Sequence, residues 1–366
     1  MTKTLIDDIK RIETIDKSGM LTYCVTAPDH YRKALDIAQK MEINYSKPEK
    51  IIIAGMGGSA IGGDLVKDWV RNQLKVPIEV NREYYLPQYA DQKTLVLIIS
   101  YSGDTEESLS AFLDALNKKC MIYCISSGGA LLKYAKKHNV PYSVVPGGMP
   151  PRAALPYLLV PMLVFLEKSG LVLGVKEGLE ETLKILDKIC KENGPDNLLC
   201  ENFAKNLAHN IGDSTPTVYG FDYFRSVALR FKQQFNENSK SPAKSEVFPE
   251  IDHNEIVGWE TRGELTRWFS LIFIRDRNEA NEIRSRIENT KNIVEQAGLM
   301  TFEIEAEGQS RLAKMISTVV IGDFVSVYLA ILREVDPTPV RNIDYLKETL
   351  KQNGVKNRII KELEGI

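Results

Sequence analysis

From Lys50 onward, short apolar runs alternate with stretches whose apolar residues recur at helical spacing, as a parallel sheet with covering helices requires. IIIAGM (51–56), PIEVN (77–81), TLVLIIS (94–100), MIYCIS (121–126) and YSVVP (142–146) predict strands. The near-continuous apolarity of two of them predicts burial on both faces. Helices are predicted over 59–73, 105–118 and 130–137, each introduced by a small or capping residue. Helical spacing over 177–210, broken at Gly194-Pro195, predicts a connector, and then the theme restarts. TPTVYGF (215–221), RWFSLIFIRD (267–276) and MTFEIEAEG (300–308) predict strands, with helices over 223–237, 280–297 and 311–333. Asp336, Pro337 and Pro339 separate these from a last short helix around 344–352. The expected fold is α/β, two doubly wound domains with parallel sheets flanked by helices, over 1–170 and 211–366 with a helical connector over 171–210.

Composition narrows the class. A chain of 366 residues has room for two domains, and 43% hydrophobic with 26% charged residues is a globular balance. A net charge of -2 offers no electrostatic reason to bind nucleic acid, so no such partner is expected. Five scattered cysteines, Cys24, Cys120, Cys124, Cys190 and Cys200, point to a reduced, cytoplasmic setting. The start MTKTLIDDIKRIE lacks the apolar core of a signal peptide, and no unbroken apolar run of about 18 residues suggests a membrane span. The segment 153–165 is very apolar but short and holds Pro156 and Pro161, which predicts a buried helix.

The candidate chemistry sits in loops at strand ends, where open α/β sheets bind their ligands. GMGGSAIGG (55–63) joins a strand to a helix; its glycines, Gly58 among them, let backbone approach an anion, while Ser59 can cap the helix and donate its hydroxyl. A dinucleotide reading of Gly55, Gly57 and Ala60 and a plain tight turn both stay open at this point. SYSGDTEE (100–107) offers Ser100, Ser102 and Thr105 around Gly103, a neutral cradle for a phosphate monoester. An N-cap cluster would explain Thr105 but not three hydroxyls around one glycine. Ser126, Ser127, Gly128 and Gly129 form a third strand end, and PGGMPPR (146–152) a fourth. Arg152 there can stabilise an oxyanion or form a salt bridge at a helix start. Glu237, in FNENSK at a helix carboxyl end, is electrostatically misplaced and invites a functional explanation. His253 stands in EIDHNE. HExxH, paired CxxC, clustered His and Cys, and GxSxG are all missing from the sequence, so neither metal nor cofactor is expected.

GMGGSAIGGD, SYSGDTEES, GGMPPRAA, NENSKSPA and PEIDHNEIVGW, in this order, resemble the bifunctional phosphoglucose/phosphomannose isomerases, a mostly archaeal family with two sugar isomerase (SIS) domains. The resemblance implies phosphate binding by Ser100, Ser102 and Thr105 with Ser59 beside them, and an intermediate stabilised by Arg152. It implies proton transfer between C1 and C2 by Glu237, and ring opening by His253 reaching in from a neighbouring subunit of a homodimer. A ring-opening lysine falls at Lys347, with Arg341 an alternative in the same stretch, and Thr338 is a nearby threonine. The implied substrates are glucose 6-phosphate, mannose 6-phosphate and fructose 6-phosphate. Two other readings are a sugar-phosphate sensor, for which a basic DNA-binding segment is missing, and an aminosugar isomerase, for which an amidotransferase domain is missing.

Overall fold

The computed structural model describes residues 5–260 and 266–366, so the first four residues of the MTKT start lie outside the described residues. The chain opens on helices α1 (Ile9–Ile15), α2 (Met20–Val25) and α3 (Ala27–Gln39). It then alternates β1 (Lys50–Ala54), α4 (Gly58–Val70), β2 (Ile78–Asn81), β3 (Thr94–Ile99), α5 (Glu106–Asn117), β4 (Met121–Ser126), α6 (Gly129–Lys137) and β5 (Tyr142–Val144). Helices α7 (Leu155–Lys168), α8 (Val175–Glu192) and α9 (Phe203–Ile211) lead to β6 (Thr215–Phe221), α10 (Arg225–Glu237), β7 (Lys244–Phe248), α11 (Glu255–Gly258) and β8 (Phe269–Arg275). The chain ends with α12 (Asn281–Gln296), β9 (Met300–Glu305), α13 (Arg311–Leu332), α14 (Arg341–Lys351) and α15 (Val355–Gly365).

Two compact units result, and neither is continuous in sequence. One comprises Asp29–Lys176 and Val340–Ile366; the other comprises Met1–Pro28 and Glu177–Pro339. These ranges differ from the consecutive division at 170 and 211 expected from sequence. The reason is packing: α15 buries Ile359 and Leu363 in the core of the first unit, beside Leu109, Phe112, Leu131 and Tyr134. The segment expected as a connector supplies α8 and α9 to the second unit, where the buried Lys205 of α9 donates to Asp7, near the chain start, at 3.3 Å.

The first unit holds a five-stranded sheet in the order β2-β1-β3-β4-β5, every neighbouring pair parallel. All six residues of β3 are buried, as its unbroken apolarity requires. The second holds four parallel strands, β7-β6-β8-β9. Its edge strand β7 has no counterpart in the expected elements, because KSEVF mixes charge with apolar side chains and buries only Phe248. A long helix, α13, fills the core of this unit. It is long and apolar enough to cross a membrane, yet 89% of its most apolar window is buried in the fold, and Lys314 and Asp323 interrupt it. The apolar helix expected over 153–165 is α7, buried from Leu155 to Leu166. Asp323 accepts from Gln234 at 2.7 Å and from the buried Arg230 at 3.2 Å, fixing α10 against α13.

The terminal helix is therefore a structural member of the first unit. Leu363→Ala should lower its stability by about 2–5 kcal/mol, the usual range for emptying a fully buried leucine site. Thermal unfolding followed by circular dichroism will read this as a drop of several degrees, and a melting curve unchanged within one degree would refute the packing.

Candidate active site

In a parallel sheet every strand ends on the same edge, so the loops after β1, β3, β4 and β5 gather there. The order 2-1-3-4-5 reverses between β1 and β3, and the two loops flanking that switch point carry the hydroxyls. The peptide N–H of Tyr101 donates across it to Ser59 Oγ at 3.3 Å. Ser59 thus does not cap its helix as expected: α4 has Gly57 at its N-cap, and Ser59 lies in the first turn, buried. Gly58 packs on the segment bearing Arg152, so closely that a Cβ would stand 3.0 Å from the Pro151 carbonyl oxygen. Arg152 itself is buried in a short 3-10 turn, Pro151–Ala154.

The loop after β3 is wound around Ser100. Its hydroxyl donates to Thr105 Oγ1 at 3.1 Å and accepts from the Gly103 N–H at 3.1 Å. Thr105 occupies the N-cap position of α5 without a side-chain capping bond, which leaves the helix start available to an anion. Ser102 is exposed, and its hydroxyl accepts from the Asp104 N–H at 3.2 Å. Against this loop lies the one after β4. Ser127 donates through both N–H and hydroxyl to the Tyr101 carbonyl, at 3.0 and 2.6 Å. Gly103 has φ +71, and a Cβ there would fall 1.9 Å from the Gly128 carbonyl oxygen, so no other residue fits. Tyr101, which the sequence reading did not single out, joins the fourth loop: its phenol donates to the Pro146 carbonyl at 2.9 Å and accepts from the Met149 N–H at 3.1 Å.

The second sheet reverses order between β6 and β8, and its switch point is filled differently. Where the first sheet carries hydroxyls, the chain after β8 carries Asp276 and Glu279, both buried. Asp276 accepts from Lys314 at 2.7 Å and from the Tyr223 phenol. Burial alone would raise this carboxyl, but the hydrogen bonds from Lys314, Tyr223 and the Asn278 N–H outweigh it and hold the group below the usual carboxylate range.

The remaining candidates divide by sheet edge. Crossover helices run antiparallel to the strands they join, so α10 starts at the carboxyl edge of β6 and delivers Glu237 to the amino edge of the second sheet. There Asn238 donates to Ser326 Oγ at 2.9 Å and Ser239 to the Ser326 carbonyl at 2.6 Å. Lys240 donates to the carbonyl of Glu237 itself and to that of Pro337, at 2.9 Å, beside Thr338. A cation at the helix end satisfies the terminal carbonyl and complements the negative end of the helix dipole. Thr338 is held by its N–H, which donates to Asp336 at 3.0 Å. His253 is exposed in a 3-10 turn, Glu250–His253, after β7, at the opposite edge. Asp252 anchors that turn to α12 by bonds from Arg286 at 2.8 Å and Thr290 at 3.1 Å. The five residues of β7 stand between Glu237 and His253, a span of about 16 Å at strand rise. Lys347 and Arg341 are both exposed on α14, which buries none of its residues.

A sequence model of the bacterial phospho-glucose isomerase C-terminal SIS domain matches residues 200–350. A bifunctional phosphoglucose/phosphomannose isomerase of Caldicellulosiruptor bescii is 40% identical over 328 residues, covering 89% of this chain and 97% of the relative. The chain belongs to the bifunctional phosphoglucose/phosphomannose isomerase family. Another member, from Aquifex aeolicus, is 37% identical over 83% of this chain and 91% of its own. The fold agrees with that of a hypothetical protein of Thermus thermophilus, at TM-score 0.72 and 15% identity, covering 93% of this chain and 94% of the other. Within the family, the two sheets of this member are thus unequal in chemistry: one switch point is lined by hydroxyls and the other is closed by ion pairs.

Two outcomes follow from this inequality. Gly103→Ala should destabilise the first unit by about 2 kcal/mol or more, from overpacking and strain together, and raise the KM for phosphosugars. Wild-type melting and KM would contradict the close approach. Asp276→Asn should destabilise the second unit by about 3 kcal/mol at pH 7, since it leaves Lys314 buried without its partner. The wild-type carboxyl titrates lower folded than unfolded, so its contribution is complete above about pH 4 and disappears as pH falls through the folded value. Urea unfolding from pH 7 to 3 should show a shallower acid-side loss in the variant.

Proposed function

We propose that this chain interconverts glucose 6-phosphate and mannose 6-phosphate with fructose 6-phosphate through a cis-enediol. The observation that carries the reading is the hydroxyl-lined, uncapped helix start at the first switch point, in a chain of this family. Ser100, Ser102 and Thr105, with Gly58 and Ser59 across the crevice, hold the phosphate. The two aldose phosphates differ only in configuration at C2, and that centre becomes trigonal in the enediol, so one intermediate serves both. Glu237 takes the C2 proton and returns it to C1. Arg152 offsets the negative charge that develops on the enediolate. His253 and Lys347 move the proton from the anomeric hydroxyl to the ring oxygen to open the ring, and Thr338 stands by the base.

Glu237 and His253 lie at opposite edges of one sheet, which supports a homodimer in which each site takes Glu237 from one subunit and His253 from its partner. The reaction uses proton transfer alone, and we place it in the cytoplasm, where unpaired cysteines such as the exposed Cys200 are stable.

Glu237→Gln should abolish isomerisation of both aldose phosphates while fructose 6-phosphate still binds. General-base catalysis is worth roughly 10²-fold or more, so activity above about a tenth of wild type would remove Glu237 from the role. Refolding an equal mixture of inactive Glu237→Gln and His253→Ala chains should restore roughly a quarter of wild-type activity, since about half of the dimers are mixed and each has one intact site. If the mixture stays inactive after subunit exchange is verified by a tag, the shared-site arrangement is wrong.

A further inference from the structure

The terminal helix reaches the phosphate cradle through one side chain. α15 packs on α5 and α6, the two helices whose starts flank the loop after β3. Its far end is held by Lys137, which donates to the carbonyls of Leu363 at 3.0 Å and Glu364 at 2.7 Å. The Tyr134 phenol donates to the Glu364 carboxylate at 3.0 Å. At the near end, Lys356 Nζ lies 2.8 Å from Asp104 Oδ1. Asp104 sits between Gly103 and Thr105, its N–H bonded to Ser102 Oγ, and the same Oδ1 accepts from the Ala130 N–H at 3.3 Å. The pair is accessible to solvent, with side-chain exposures of 33% for Lys356 and 47% for Asp104.

A carboxylate inside a loop that receives a phosphate dianion is a like charge in the wrong place. The ammonium offsets that charge, and with the Ala130 N–H it holds the carboxylate at the start of α6. We propose that Lys356 is a positioning residue that sets the affinity of this site for phosphate monoester dianions by neutralising Asp104. The proposal rests on the phosphate reading given above for the Ser100, Ser102 and Thr105 loop. It assigns no chemical step to Lys356, so its removal affects binding in the ground and transition states equally.

The test uses the full-length enzyme, with fructose 6-phosphate as substrate and inorganic phosphate as competitive inhibitor. Lys356→Ala should raise both the KM and the inhibition constant about three- to fivefold, the scale of an exposed ion pair, with kcat within about twofold. Lys356→Arg should restore both constants. In an Asp104→Asn background, Lys356→Ala should have no further effect, because no carboxylate remains to be uncovered. If phosphate inhibits the wild type and Lys356→Ala leaves both constants unchanged, this proposal falls while the phosphate reading stands. If Lys356→Ala acts equally in the Asp104→Asn background, or lowers melting temperature and kcat together, Lys356 is merely structural and the proposal also falls. If phosphate does not inhibit the wild type, both readings fail.

Discussion

The arrangement of the first sheet's loops depends on how closely two stretches of backbone approach at Gly103 and Gly129. With no Cβ at either, the loops after β3 and β4 touch main chain to main chain, and the Tyr101 backbone can accept from Ser127 through its carbonyl while donating to Ser59 through its N–H. Peptide groups are planar and stiff, so loops locked together through them hold a fixed geometry. The hydroxyls of Ser100 and Thr105 are set by that frame rather than by their own rotamers alone, since each already bonds within the loop.

The same topology used twice gives two different outcomes. Both sheets reverse strand order at a crevice, but one crevice is lined by hydroxyls while Asp276 and Lys314 close the other. Parallel crossovers also sort the remaining groups: Glu237 travels to one edge with its helix and His253 stays at the other. Lys240 then closes the helix that ends at Glu237, because its ammonium donates to the Glu237 main-chain carbonyl at the negative end of the helix dipole.

Much of this was legible in the sequence, for physical reasons. Strands β1, β3, β4, β6 and β8 announce themselves because burial on two faces demands mostly apolar runs, while the less buried β2, β5 and β9 show through β-branched residues between turn signals. The hydroxyl loops show because serine and threonine cluster beside glycine at strand ends. Strand β7 was hidden, since an edge strand with one buried residue carries no such run. Ser59 misled as a helix cap because residue type alone does not reveal which turn position the backbone gives it. Tyr101 and Lys240 lie within motifs but act through bonds to residues about 45 and 97 positions away, and Lys356 finds Asp104 across 252. Local patterns cannot report contacts at that separation. The unit boundaries were obscured for the same reason, as nothing near residue 359 indicates which core its helix will enter.

The return of the last helix to the first unit sets a clock for synthesis. On the ribosome, the sheet from β1 to β5 emerges long before Ile359 and Leu363, which complete its core. At about 5–20 residues per second, the nascent unit waits roughly ten to forty seconds between the emergence of Lys176 and that of its final helix. During that interval the apolar surface of α5 and α6 beneath α15 is uncovered, a natural target for chaperones that shield nascent chains and a window in which a stalled chain would aggregate.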